Sequence, residues 1–451
     1  MKTINRSIFR EYDIRGIYEK DLKGEIPYLI GRGFGCLVKQ EGKKTVCVAG
    51  DNRITTPEIK EKVVSGLIDS GCDVIDTGIV PTPVLYFSVH HYKFDAGVMV
   101  TASHNPPEFN GFKMMLGNKS LYGPEIQEIA DIIEKNDFED GKGKYLQKNA
   151  TDDYIKFMLD NFRFKKKLKV AVDTGNGTAG PLIVNLFEKF GFDILPLYTE
   201  SDPTFPHHLP DPLVPENLKD LIKAVKDNNL EAGLGYDGDG DRVGVVDEKG
   251  NILWGDHLLI IYARDILNNM PGAKIIFDVK CSKALEEEIS KAGGIPLMWK
   301  TGHSLIENKM HIEKAPLAGE LSGHLYFADK YYGYDDAIYA SLRLLKIMDE
   351  TGQNLSELLK GVKKYYSTPE IRLTVPDEKK FEIVEQIKKF FISQGNKISD
   401  IDGVKVFLPD GWALVRASNT QPALVIRIEA YSEEKLELLK NEFLNVIRNF
   451  S

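Results

Sequence analysis

The sequence predicts an α/β protein of three related α/β units followed by a smaller α+β unit. Three repeated features carry that prediction. An apolar, β-branched run ending in Asp occurs at Val46 to Asp51, at Val170 to Asp173 and at Ile275 to Asp278. After each run comes a stretch of helical periodicity (Thr56 to Ser70, Ala179 to Phe190, Ser282 to Ala292), then glycine and a second strand (Cys72 to Asp76, Phe192 to Leu197, Ile295 to Trp299). Strand, helix, strand is the parallel crossover unit. Each unit then delivers a third segment ending in a polar loop: VMVTASHNP at 98–106, AGLGYDGDGDR at 232–242 and PLAGELSGH at 316–324. Ligands of open α/β sheets bind beyond the carboxyl ends of the strands, so the three loops are expected to converge on one cleft.

Beyond about Ser367 the pattern changes to a strand (Ile371 to Val375), a helix (Glu378 to Phe391), two further strands, the loop RASNTQP at 416–422, another strand and an amphipathic helix from Ser432 to Phe450. That order reads as a separate α+β domain. The expected domains are 1–148, 149–252, 253–366 and 367–451.

Composition limits the function. The 451 residues are 28% charged and 42% hydrophobic, as in an ordinary globular protein of several cores. A net charge of −9 supplies no general positive field for a nucleic-acid backbone or an anionic membrane, so an anionic substrate needs a local basic pocket. Cys36, Cys47, Cys72 and Cys281 are widely spaced, which suggests free thiols rather than a disulfide framework or zinc site. No apolar leader or uncharged 18-residue run is present, and a cytoplasmic location is expected.

The loops carry the chemistry. In extended backbone, alternate side chains share a face, so Asp237, Asp239 and Asp241 of DGDGDR can all point at one hard divalent cation. Asp237, Asp239, Asp241 and Glu248 also match four EF-hand ligand positions, but Arg242 stands where that loop needs its glycine, and the flanks read as strands. TASHNP puts Ser103 after a strand, its hydroxyl expected on a rigid exposed turn before Pro106 and Pro107, with His104 a possible neighbouring base. The G-x-S-x-G pattern of a hydrolase nucleophile is missing. GELSGH offers a carboxylate at Glu320, a hydroxyl at Ser322 and an imidazole at His324, a set suited to vicinal sugar hydroxyls. In RASNTQP, Arg416, Ser418, Asn419 and Thr420 suit a phosphate, with Arg427 as a possible second fork.

Taken together, FREYDIRG at 9–16, TASHNPPEFNGFK at 101–113, GYDGDGDR at 235–242, DVKCS at 278–282, WKTGHS at 299–304, GELSGH at 319–324 and RASNTQPAL at 416–424 resemble, in order, the motifs of the α-D-phosphohexomutases. The sugar loop is most similar to the branch combining phosphomannomutase and phosphoglucomutase activities. That resemblance implies three related α/β/α mixed-sheet domains and a smaller C-terminal α+β domain around a central cleft. It implies a phosphoserine at Ser103, which joins Asp237, Asp239 and Asp241 around one Mg²⁺ per chain, and a hexose 1,6-bisphosphate as intermediate and activator. Lys113, Arg15 and Arg242 would line the transfer site, and Tyr12 would contact substrate. His303 and His324 are the acid/base candidates. Lys280 and Thr301 would meet substrate oxygens, Glu320 and Ser322 the sugar O3 and O4, and Arg416, Ser418, Asn419 and Thr420 the phosphate not being transferred. The implied partner is a small phosphosugar, with no nucleic acid or membrane, and a monomer or weak homo-oligomer is expected.

The segment FPHHLPDP at 205–212 departs from the family's usual F-P-N-H-H-P-D-P, which leaves the contacts of His207 and His208 open. A phosphoglucosamine mutase is the nearest rival, and Leu321 argues against it. A catalytically silent phosphosugar-binding protein would predict damage at Ser103 or the aspartates, and a phosphatase would differ only in water exclusion.

Overall fold

The computed structural model describes residues 4–376, 378–418 and 422–450. Its first three sheets repeat one topology. In the first, Thr45–Gly50 lies between Asp73–Ile79 and Ala96–Val100, parallel to both, and Phe109–Leu116 adds antiparallel to Ala96–Val100. In the second, Lys169–Asp173 lies between Asp193–Leu197 and Ala232–Tyr236, with Val243–Asp247 antiparallel beyond. In the third, Lys274–Asp278 lies between Ile295–Trp299 and Leu317–Gly319, with Leu325–Phe327 antiparallel beyond. Each polar loop named above therefore joins the third strand of its sheet to an antiparallel fourth.

Local chemistry explains the repeat. The first strands are β-branched and buried, as strands covered on both faces must be. The crossover helix Thr56–Asp69 begins with Pro57 in its first turn, and Lys283–Lys291 is capped by Ser282, whose hydroxyl accepts from the Ala284 amide. Gly71, Gly191 and Gly293 follow the three crossover helices with φ of 85°, 78° and 80°, a left-handed turn that suits glycine.

The fourth sheet is antiparallel throughout, in the order Tyr366–Ser367, Ala423–Ala430, Gly411–Ala417, Val404–Leu408, Lys397–Ser399, with Ile371–Thr374 also paired to Ala423–Ala430. Three strands, not two, lie between the helix Lys380–Ser393 and the loop after Ala417. The extra one, Lys397–Ser399, is a three-residue edge too short to show alternation.

Apolar packing forms several clusters. One continuous core runs through the first three units, including Phe87, Tyr154, Leu186, Tyr236, Leu259 and Leu342. A second large core in the first unit includes Phe34, Val48, Val98 and Ile129. The C-terminal sheet has its own core with the helices Lys380–Ser393 and Glu433–Arg448, built on residues such as Ile387, Phe391, Ile426 and Phe443. A small cluster of Val279, Trp412 and Leu414 joins that sheet to the third unit. Among the described residues no helix is long and apolar enough to cross a membrane.

The large core contains a titratable ring. His90 stacks on Tyr332 and Tyr334, with centroids 5.3 and 5.4 Å away, and burial, with a smaller contribution from His311, pushes it down to about 4 from an ordinary 6.5. A depressed folded pKa gives stability that is present above pH 6.5 and is lost as pH falls toward 4, because the unfolded chain takes up a proton that the folded ring refuses. Replacing the ring by His90→Phe should remove about 1 to 2 kcal/mol of that loss. Urea unfolding at pH 7.5 and pH 5 checks this, and an equal pH dependence in both proteins would contradict it.

Candidate active site

Ser103 sits in the loop between Ala96–Val100 and Phe109–Leu116, in left-handed backbone with φ of 52°. Its amide donates to Thr101 Oγ1 at 2.9 Å, and its Oγ donates to Asp237 Oδ2 at 2.7 Å and lies 3.0 Å from His104 Nδ1. The turn is buried rather than exposed as expected, Ser103 being only 4% accessible, because the second sheet's hairpin closes over it. Burial first, then the charges of Arg242 and Arg15, hold His104 well below the usual imidazole range, so its ring is neutral.

That second hairpin carries the aspartates. Here too the expected geometry is corrected: DGDGDR is a tight turn, not extended chain. Asp237 Oδ1 accepts from the amides of Gly240, Asp241 and Arg242, each at 3.1 Å, so the carboxylate caps its own turn. The turn brings ligand oxygens of Asp237, Asp239 and Asp241 within 4.8 Å of one another, and all three residues are fully buried. Glu248 lies apart, accepting from Ser356, which removes the EF-hand geometry.

Few groups neutralise this cluster. Asp239 Oδ2 accepts from Thr82 Oγ1 at 2.6 Å and from Lys113 Nζ at 2.8 Å, and Lys113 also pairs with Asp241. Arg242 Nε donates to Asp237 Oδ2 at 3.0 Å, and its Nη1 lies 3.6 Å from Asp211. Lys113 is therefore a buried bridge, not a solvated lysine. Asp239 Oδ1 and Asp241 Oδ1 are buried without a hydrogen-bond partner among the described residues. Burial, and then neighbouring carboxylates, push Asp237 and Asp241 up; at Asp239 burial acts in the same sense but is outweighed by Lys113 and Thr82, which hold it down. Three hard oxygen ligands, two unpartnered oxygens and mutual repulsion fit a small divalent cation.

The third hairpin faces the second. Val243 donates its amide to the Gly323 carbonyl at 3.3 Å, which places His324 Nδ1 at 3.8 Å from Asp241 and 2.7 Å from Asp335. The rings of His324 and His303 are 5.9 Å apart. His303 is pushed down to about 4, chiefly by burial, and its Nε2 has no hydrogen-bond partner among the described residues. Glu320 accepts from the Gly302 amide at 3.2 Å, and its carboxyl is raised, mainly by burial. Thr301 Oγ1 donates to Asp278 at 3.0 Å and Lys280 Nζ lies 3.7 Å from it, while the Ser322 hydroxyl has no hydrogen-bond partner among the described residues.

The C-terminal domain adds cations. Arg416 Nη2 donates to Tyr12 Oη at 3.3 Å, and its Nε lies 3.0 Å from Asp402. Arg427 donates to Ser367. Lys380 donates to the Ser418 carbonyl at 2.6 Å, while Asn419 and Thr420 lie outside the described residues. Arg15 donates to Asn105, on the serine loop. A cavity of about 400 Å³ collects His104, Arg242, Lys280, Ser322 and Arg427, one or more from each of the four domains. His207 and His208 do not line it and are bonded instead to Asn176 and Asp173.

Several supporting residues escaped the sequence reading. Thr82, Asp335 and Asp402 belong to no motif identified there, and Thr82 meets Asp239 across 157 positions; Asp211 lies within FPHHLPDP, where its approach to Arg242 was not read. Asp51, noted only as a strand end, and Asp278, which also opens DVKCS, play the same part in their two units. Each accepts from the amide of a residue in its unit's polar loop, Ala102 at 3.4 Å and Leu321 at 3.1 Å.

Comparison with known proteins shows the family. Residues 6–140, 152–250 and 254–365 match the phosphoglucomutase/phosphomannomutase alpha/beta/alpha domains I, II and III, and residues 370–446 match the C-terminal domain of the same family. The chain belongs to the phosphoglucomutase/phosphomannomutase family. It is 46% identical to a phosphomannomutase/phosphoglucomutase of Pseudomonas aeruginosa over 99% of this chain and 96% of that one. It is 41% identical to a phosphoglucomutase of Neisseria meningitidis over 100% and 98%. A crystal structure of a phosphoglucomutase/phosphomannomutase family protein from Burkholderia thailandensis superposes with a TM-score of 0.93 at 41% identity, covering 99% of this chain and 98% of that one.

One close approach tests how tightly the first two hairpins must fit. A Cβ at Gly238 would lie 2.4 Å from the Ser103 carbonyl oxygen, a backbone atom that a rotamer change cannot move away. Gly238→Ala should force the serine and aspartate turns apart and lower kcat by about 100-fold, the scale of an ångström's misplacement. Steady-state kinetics on the folded variant check this, and near-normal kcat would show that the turns have slack.

Proposed function

We propose that this protein is a phosphohexomutase that interconverts the 1- and 6-phosphates of mannose and glucose through a phosphoserine and a hexose 1,6-bisphosphate. The observation that carries the reading is the Ser103 hydroxyl donating to Asp237 at 2.7 Å inside a closed carboxylate cluster, beside a cleft with cations from several domains. The names of its relatives support mannose and glucose as the sugars.

The cleft binds the monophosphate with its existing phosphate on Arg416, Ser418, Asn419 and Thr420, and Arg427 adds charge nearby. Glu320 and Ser322 take the sugar O3 and O4, while Lys280 and Thr301 meet further oxygens. Mannose and glucose differ at O2, so a site reading O3 and O4 accepts both. The free sugar hydroxyl attacks the phosphorus on Ser103. Its new P–O bond forms as the P–Oγ bond breaks, and Ser103 Oγ leaves with the bonding pair. Lys113, Arg15 and Arg242 stabilise the charge that develops. Asp237, Asp239, Asp241 and Ser103 would hold one Mg²⁺, which neutralises charge on the transferring group.

A histidine takes the hydroxyl proton. His303 is neutral at working pH because of its burial, and its Nε2 is unpartnered, as a base requires. Asp335 beside Nδ1 of His324 favours the tautomer that leaves that ring's Nε2 lone pair available. The 1,6-bisphosphate then turns within the cleft and returns its other phosphate to Ser103.

The reading is checked by ³¹P NMR with Mg²⁺, a trace of hexose 1,6-bisphosphate, and the 1-phosphates of mannose, glucose and glucosamine in separate samples. Mannose and glucose compounds should convert to 6-phosphates with glucosamine slow, and Ser103→Ala should abolish sustained turnover. Full activity in that variant would contradict the mechanism, faster glucosamine conversion would move the substrate to the amino sugar, and release of free phosphate would make the protein a phosphatase.

A further inference from the structure

Arg53 lies outside every motif discussed above, yet it supports the Ser103 loop from within. Its side chain is buried, 1% accessible, and all five of its guanidinium N–H donors have acceptors. Nη2 donates to the carbonyls of Ser103 at 2.8 Å and Asn105 at 2.6 Å. Nη1 donates to those of Pro106 at 2.7 Å and Phe109 at 3.1 Å, and Nε donates to Asp51 Oδ2 at 3.1 Å. Asp51 is fixed in turn, accepting from Thr56 Oγ1 at 2.6 Å and from the Ala102 amide at 3.4 Å. The guanidinium thus gathers four carbonyls from residues 103–109, dipoles that would repel one another if they converged without it.

We propose that Arg53 is a positioning residue of phosphoryl transfer: its four carbonyl bonds hold the left-handed backbone at Ser103 that keeps Oγ directed at Asp237. The inference rests on the phosphoserine reading above and names what sets that serine's geometry. Left-handed backbone is uncommon for a residue with a Cβ and persists where surrounding contacts over-determine it. Two such contacts meet at one atom, since the Ser103 carbonyl oxygen bonds Arg53 on one side and abuts Gly238 of the aspartate turn on the other. Lysine cannot replace this arrangement. It offers three donors from one point, whereas the acceptors here are spread along a planar fork.

The test compares wild-type enzyme with Arg53→Lys and Arg53→Gln, each carrying Mg²⁺. Rapid-quench intact mass follows phosphoryl uptake on Ser103 from glucose 1,6-bisphosphate, alongside kcat and KM for mannose 1-phosphate. In Arg53→Lys, which keeps a charge beside Asp51, uptake should still reach one phosphoryl per chain but about 100-fold more slowly. KM should stay within about threefold and kcat should fall with the uptake rate. A purely structural role predicts wild-type rate with reduced amplitude, and that result, or wild-type rate and amplitude together, would overturn the proposal. If Arg53→Gln does not fold, Arg53→Lys decides. Failure of the wild-type enzyme to take phosphoryl on Ser103 would overturn the phosphoserine reading itself, and this inference with it.

Discussion

Three carboxylates buried on one tight turn set the terms for the rest of this structure. Removing even one ionised carboxylate from water costs several kcal/mol unless opposite charge or hydrogen bonds replace the lost hydration. For Asp237, Asp239 and Asp241 that hydration is replaced only in part, by three amides, the Ser103 and Thr82 hydroxyls and the cations of Lys113 and Arg242. Two oxygens remain without a hydrogen-bond partner among the described residues. Such a cluster is stable only where neighbouring elements are held firmly against it, and the site is built where three hairpins meet.

The repeated topology explains how three hairpins reach one place. Each is the third-to-fourth strand connection of its own sheet, and an aspartate at the end of the first strand pins the loop in two of the three units. The shared core that runs through the first three units fixes the loops' relative positions. The C-terminal domain meets them through a smaller apolar contact and a few polar ones, such as Lys405 donating to the Val279 carbonyl at 2.9 Å, next to Lys280. The division suits the proposed chemistry. Phosphoryl transfer needs rigid placement, while an intermediate that must turn around needs a phosphate-binding wall that is less firmly built in.

Much of this was legible in the sequence, for physical reasons. Buried first strands demand β-branched runs, helix ends demand glycine, and both recur at matching spacing. Fold class and family followed from that regularity and from motifs whose residues are local in sequence. Conformation inside the loops was less legible. Alternation suggested an extended DGDGDR, but Asp237 captures three amides of its own turn, and short acidic side chains compete with extended backbone in this way. The Ser103 turn read as exposed because what covers it comes from another unit. Partners remote in sequence were least legible: Thr82 and Asp239 are 157 positions apart, and Arg53 meets Ser103 across 50. No spacing rule links such pairs.

The central claim is that the buried aspartate turn is short of positive charge and takes up one divalent ion. The most direct measurement is Mn²⁺ binding followed by electron paramagnetic resonance on metal-free protein, with Asp241→Asn alongside. The account predicts one Mn²⁺ per chain, displaced by Mg²⁺, with affinity falling at least about tenfold in the variant when one carboxylate ligand is neutralised. Absence of stoichiometric binding, or equal affinity in Asp241→Asn, would contradict it.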